Sequence, residues 1–185
     1  MTPHNWPPEF QAYGVTLKPI STEDLEMVRQ WRNDPTIASL MLDKTEITAA
    51  MQQQWFAGLT GDQSRAYWVV YFKQQPIGVA SLSKIDRAAA SAEPGMYIYP
   101  AQYRHNIVPF CVAFALNDFA FNQLGLTTLY GKIYPSNEAS VRFHLKCGYE
   151  LDQARQQPDS ELDFYQLTPA RYLAARAPIA HFIRY

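Results

Sequence analysis

Alternation of apolar and polar residues opens the interpretable part of the chain. Val15-Thr-Leu-Lys-Pro-Ile20 alternates with a period of two and predicts a half-buried strand, with Pro19 suited to a sheet edge. Ser21-Thr-Glu-Asp24 sets a hydroxyl three residues before a carboxylate, which is a helix-start signature. Leu25, Val28 and Trp31 then recur on one helical face until Asn33-Asp34-Pro35 interrupts them. A second helix is predicted from Ile47 to Leu59, where Ile47, Met51 and Trp55 lie one turn apart. Tyr67–Phe72 and Pro76–Leu82 read as a hairpin turning at Lys73-Gln-Gln75, and Glu93–Tyr99 as a third strand closed by Pro100. The long apolar run from Asn106 to Leu124 predicts a helix stopped by Gly125. A strand over Thr127–Tyr134, a short helix from Asn137 to Gly148, and a strand pair at Tyr149–Asp152 and Leu162–Leu167 complete the order.

Strands and helices alternating in this way predict an α/β domain, a mixed sheet with helices on its faces. Residues 1–14 read as an irregular lead-in, 15–167 as the domain, and 168–185 as a tail packed on it through Phe182, Ile183 and Tyr185. At 185 residues the chain has the size of one domain with a core of its own. A hydrophobic share of 48% against 18% charged is globular, and a net charge of −1 without a basic block argues against a nucleic-acid partner. Cys111 and Cys147 sit in apolar patterns and read as reduced core thiols. No Cys/His spacing suits zinc, so no metal is expected, and His4, His105 and His181 are scattered. The start lacks a signal-peptide pattern, and the most apolar stretch, Ile107–Phe121, is too short to cross a bilayer. The expectation is a cytoplasmic protein without a membrane partner.

Two segments are similar to the GNAT-type N-acetyltransferases. The first is EPGMYIYPAQYRHNIVPF at residues 93–110, and the second is NEASVRFHLKCGY at residues 137–149. Trp31-Arg-Asn-Asp-Pro35 and Gln54-Trp-Phe56 add a likeness to the branch of ribosomal-protein N-terminal and nucleotide-amino-sugar acetyltransferases. The resemblance covers Val15 to Leu167. It implies a mostly antiparallel central sheet flanked by helices on both faces, with acetyl-CoA as acetyl donor. It assigns Tyr97, Ile98 and Tyr99 to the strand that holds the thioester, and Arg104, His105, Asn106, Ile107, Val108 and Pro109 to the pyrophosphate loop. It assigns Asn137, Ser140 and Phe143 to the helix along the pantetheine arm.

The loop departs from the family pattern Gln/Arg-x-x-Gly-x-Gly/Ala, because Ile107 and Pro109 stand at both small positions. Glycine permits close backbone approach and positive φ, and proline removes an amide donor. Arg104 and His105 offer compensating donors.

Direct acetyl transfer requires a deprotonated amine, a thioester held at attack distance, donors for the oxyanion, and an acid for the departing thiolate. Glu93, starting the thioester strand, is the candidate base or water-positioning group; a plain exposed strand-start carboxylate is the alternative. His144 occupies the position where the resemblance implies an acid toward the thiolate; a solvated helix histidine is the alternative. The expected acceptor is a small-molecule amine such as an amino sugar, since Trp31, Trp55, Trp68 and the tyrosines offer aromatic platforms. A protein or peptide N-terminus is the second acceptor class. A non-catalytic binding module with a degenerate phosphate loop, and an enzyme with a different acyl donor, are the rival readings. Sequence leaves open whether the protein is a monomer or a dimer.

Overall fold

The computed structural model describes residues 6–184. His4 and Tyr185 therefore lie outside the described residues, as does the first part of the expected lead-in. An eight-stranded sheet runs through the molecule in the order β1-β2-β3-β4-β5-β6-β8-β7. Its strands are β1 (Phe10–Ala12), β2 (Val15–Pro19), β3 (Ala66–Phe72), β4 (Gln75–Asp86), β5 (Ser91–Ile98), β6 (Thr128–Ile133), β7 (Glu150–Leu151) and β8 (Asp163–Leu167). Every neighbouring pair is antiparallel except β5 and β6. Six α-helices accompany them: α1 (Leu25–Asn33), α2 (Pro35–Ala38), α3 (Ala49–Leu59), α4 (Val108–Asp118), α5 (Glu138–Lys146) and α6 (Pro169–Ala180).

Local chemistry explains the element boundaries. Asp24 accepts from the Ser21 amide at 2.9 Å and from its hydroxyl at 3.0 Å, closing the start that leads into α1. The β3–β4 turn sets Lys73 and Gln74 at φ 50° and 66°, the twist-matched geometry of a two-residue hairpin loop. Pro35 does end α1, but it also starts the single turn α2, where its missing amide is harmless and Asp34 caps Thr36. A π-helical turn, Phe119–Gln123, extends α4, and Gly125 follows at φ 66°.

The sheet parts the core into two layers. On one face Trp68, Ile77, Leu82 and Leu129 pack beneath α4, whose Phe114 is fully enclosed. On the other, Val69 and Val79 meet Leu25, Val28 and Trp31 of α1. The apolar run of α4 is buried almost all round because α6 covers its outer side. There Tyr172 donates to the Phe114 carbonyl at 3.0 Å and to Asp118 at 2.6 Å.

Both ends of the chain are more ordered than their composition predicts. Phe10–Ala12 is not irregular lead-in but the edge strand β1, paired with β2. Trp6 donates to the Arg65 carbonyl at 2.9 Å, Trp68 donates to that of Pro8 at 2.8 Å, and Phe10 stacks on Phe119 at 5.0 Å. Three residues give too short a window for periodicity, so such contacts must supply the order. The tail forms α6, with Ile183 buried and Phe182 71% exposed.

Candidate active site

The parallel pair β5–β6 pairs only at Ser91–Thr128 and Ala92–Leu129, although both strands continue beyond. From Glu93 onward the two strands separate and leave a cleft through the sheet. Tyr99 donates its amide to the Ile77 carbonyl at 2.7 Å, which turns odd-numbered residues of β5 toward β4. Strand alternation then points the backbone groups of Met96 and Ile98 into the cleft. This corrects the assignment of Tyr97, whose backbone groups face β4, and of Tyr99, whose amide faces β4 and whose carbonyl accepts from Arg104, and it adds Met96, which the sequence reading missed. Counting parity from the hairpin register identifies Met96, but only once the β4–β5 register is known.

Side chains divide between the two faces of the cleft by the same alternation. Glu93, Gly95, Tyr97 and Tyr99 project toward the α1 layer. There Tyr99 stacks on Trp31 at 5.4 Å and donates to Asp34 at 3.3 Å. Glu93 is gripped by two lysines: Lys84 of β4 lies 3.2 Å from Oε2 and Lys132 of β6 lies 3.1 Å from Oε1. Lys84 sits at φ 51° in the irregular end of β4, and this turn of backbone carries it to Glu93.

His144 lies on the opposite face, against β6. Its ring packs on Tyr149 at 5.0 Å, and both rings lie over Gly131. Nδ1 is 2.7 Å from the Ser140 carbonyl, so Nδ1 carries the proton and Nε2 the lone pair. Burial lowers the His144 pKa, with the Ser140 carbonyl opposing in part. The imidazole is therefore neutral at pH 7. A neutral imidazole with its one proton committed to Ser140 cannot be the ready-made acid of the sequence reading; it must first accept a proton at Nε2.

The expected phosphate loop keeps part of its donor set. No residue between Pro100 and Pro109 has positive φ, so the loss of glycine introduces no backbone strain. Ile107 turns inward against the main core, so it leaves the approach clear, and Val108 and Pro109 are buried. The amides of His105, Asn106, Ile107 and Phe110 have no intramolecular partner among the described residues. They form a donor set at the α4 N-terminus chemically suited to a diphosphate. Phe110 was missed because the motif ends before it.

Four residues of this loop contribute differently from the expectation. The Val108 amide is taken by Asn106 Oδ1 at 2.9 Å, and Pro109 has none. The Asn106 side chain is thus engaged locally just ahead of the helix, its Nδ2 held by the Gln102 carbonyl at 3.3 Å. Arg104 folds back, with Nε 2.8 Å from the Ile98 carbonyl and Nη2 on the Tyr99 carbonyl, so only Nη1 is left for an anion.

On α5, Asn137 accepts from the Ser140 amide at 3.2 Å and caps the helix. Phe143 packs against Phe110 at 4.8 Å, tying α5 to the start of α4. Burial raises the Cys147 thiol to about 12 and the Cys111 thiol to about 11, so neither is a nucleophile. Among the described residues no group of three or more His, Cys, Asp or Glu is placed to hold a metal, and no helix is long and apolar enough to cross a membrane. Grooves of about 350 Å³ lie between α1 and α3 and between β1 and α4, both lined without Glu93 or His144.

Comparison with known proteins agrees with this geometry. Residues 15–150 match the family model described as Acetyltransferase (GNAT) domain. Spermidine N(1)-acetyltransferase of Escherichia coli (strain K12) is 23% identical over 141 residues, covering 76% of this chain and 75% of that protein. Among solved structures, FdhC, a nucleotide-linked sugar GNAT, superposes with a TM-score of 0.79 at 19% identity, covering 95% of this chain and 98% of that one. Spermidine N-acetyltransferase of Vibrio cholerae, in complex with CoA and spermine, gives 0.75 at 20% identity, covering 86% and 98%. At these identities the structural likenesses carry the fold.

Proposed function

The chain belongs to the GNAT acetyltransferase family, and on that premise we propose how its own residues bring acetyl-CoA and an amine together at the cleft between β5 and β6. It is an acetyl-CoA-dependent N-acetyltransferase. The observation that carries the site assignment is the parting of β5 from β6 after Ala92, which frees the amides of Met96 and Ile98, the Ile98 carbonyl being taken by Arg104.

Acetyl-CoA supplies the activated acetyl group as its thioester. The Met96 and Ile98 amides orient that group and meet the oxyanion that develops during attack. The open amides of His105–Ile107 and Phe110 hold the diphosphate, and Asn137 Nδ2 faces the arm between them. The amine enters from the α1 face and attacks directly, so that a C–N bond forms and the C–S bond breaks.

Glu93 serves as a positioning carboxylate. With each oxygen held against an ammonium group, it is fixed in place to orient the amine or a water. The adjacent positive charge of Lys84 and Lys132 favours the unprotonated, nucleophilic amine. The proton released by nitrogen passes through water to His144 Nε2 and from there to the departing sulfur. A base of lowered pKa gives its proton readily to a thiolate near ~8.5.

A small-molecule amine is the proposed acceptor, in keeping with the aromatic walls of Trp55 and Tyr67, which meet edge to face at 4.8 Å. Calorimetric titration with acetyl-CoA, followed by thiol release across a panel of amines, tests the reading. Saturable micromolar binding with amine-dependent release is expected. A folded protein that does not bind acetyl-CoA overturns it in favour of a non-catalytic module.

A further inference from the structure

Two buried polar atoms on the α1 side of the cleft have no hydrogen-bond partner among the described residues: Arg32 Nη1 and the Tyr97 hydroxyl. A buried donor without a partner costs stability, most of all on a charged group, so such atoms mark either an error of packing or a waiting ligand. Their placement favours the ligand. Tyr97 lies on β5 between Met96 and Ile98, the two residues whose backbone faces the cleft. Next to it on the same sheet face the floor is low, because Gly95 has no side chain and Ser81 is small. Arg32 enters from above, on the turn of α1 fixed by the stacking of Trp31 on Tyr99. Its other terminal nitrogen, Nη2, is anchored 2.9 Å from the Asp43 carbonyl, which leaves Nη1 as the free tine of the fork.

The Asp43 carboxylate lies near enough to interact with Arg32 but makes no hydrogen bond to Nη1, being turned to the amide of Thr45 at 3.0 Å within its own loop. Burial raises the Tyr97 pKa, and Arg32 is close enough to oppose that rise. The phenol is therefore a donor, and the guanidinium can only donate. Two neighbouring donors, neither with an acceptor among the described residues, match an anionic oxygen.

Resting on the acetyltransferase reading, we infer that Arg32 and Tyr97 form the anion-binding end of the acceptor pocket, and that the acceptor is a compact amine bearing a phosphate or carboxylate. Asp34, held by Tyr99 and Thr36, is the opposing charge at the α1 end of this face, while the basic groups nearer the cleft act in the same direction. Lys84 and Lys132 outnumber Glu93, and Arg155 lies over the Tyr130 ring at 3.7 Å. A linear polycation would meet like charge at each of these groups, whereas an amine with an anionic tail places its nitrogen at the cleft and its tail on Arg32.

Inorganic phosphate titrated into the protein saturated with CoA tests the subsite apart from the diphosphate loop. Saturable binding is expected, weakened at least 10-fold in Arg32→Met and several-fold in Tyr97→Phe. No phosphate binding by the wild-type protein, or equal binding by the variants, overturns the inference. If Arg32→Met does not fold, Tyr97→Phe, which keeps the ring, decides alone. In turnover, β-alanine and O-phosphoethanolamine are compared with ethanolamine and spermidine. A kcat/KM at least 10-fold higher for one or both anionic amines supports the inference and tells carboxylate from phosphate. Equal or preferred use of ethanolamine or spermidine overturns it while leaving the acetyltransferase reading intact. Failure to bind CoA or acetyl-CoA at all counts instead against that reading.

Discussion

Two polar clusters lie on opposite faces of one sheet, and they differ in how completely their groups are paired. Under α6, Asp118 accepts from the Tyr13 hydroxyl at 2.5 Å, from that of Tyr172 at 2.6 Å, and from Arg176 at 2.8 Å. Arg176 Nη1 also reaches the Tyr13 hydroxyl at 3.1 Å, so the ring of partners closes. Burial and the Asp118 carboxylate push the Tyr13 phenol up to about 12, and it stays a donor. On the α1 face, Arg32 Nη1 and the Tyr97 hydroxyl are more completely withdrawn from water and have no hydrogen-bond partner among the described residues. The first cluster completes the fold by joining the β1–β2 turn, α4 and α6. The second is complete only with a ligand. Pairing, rather than burial or charge, separates a structural network from a site.

The largest effect that would break this division is on catalysis. His144→Ala should lower kcat about 100- to 1000-fold while acetyl-CoA affinity changes little, because the side chain handles a proton rather than the diphosphate. Calorimetry beside steady-state rates separates the two, and an unchanged kcat removes His144 from the reaction. Next comes Asp118→Ala, which strands Arg176 and two phenols. The cluster is about a quarter exposed, so the cost should be about 2–3 kcal/mol by denaturant titration, below the range for a fully buried pair. Activity per folded molecule should persist.

A smaller but sharper test removes one hydroxyl from each cluster. Tyr172→Phe should destabilise by about 1 kcal/mol because it deletes a made bond, whereas Tyr97→Phe should be neutral or stabilising because it deletes an unmet one. The same sign for both would end the distinction. Finally, kcat should fall as pH drops below about 6.5, since His144 with a lowered pKa must be unprotonated to accept at Nε2. A rate that instead rises toward acid would restore His144 as a pre-protonated acid. Stability has the matching sign. The unfolded chain protonates this residue near ~6.5 and the folded chain only at lower pH, so its contribution is whole above ~6.5 and declines below it.

Much of the architecture was legible from local pattern. The alternation of Val15–Pro19, the paired runs around Lys73 and Gln74, and the helix-start chemistry at Ser21 each act within a few residues. The segments of family likeness, 93–110 and 137–149, fall on β5, the start of α4 and α5. The short strand β1 was not legible, since its order comes from Phe119 and Trp68 far along the chain. Roles inside the site were less legible still. Arg104 carries the charge expected of a phosphate ligand yet turns back onto the end of β5, and Met96 carries no sign of function because its contribution is a backbone amide.

By itself, the sequence determined which segments become strand or helix and which residues face inward, because those choices follow from periodicity, capping and turn chemistry acting locally. Only the tertiary structure decided which donors are satisfied. The two lysines on Glu93, the pinned tautomer of His144 and the open fork of Arg32 each depend on groups brought together from separate elements. A hydrogen bond is set by ångström distances and direction, and no spacing along the chain encodes either.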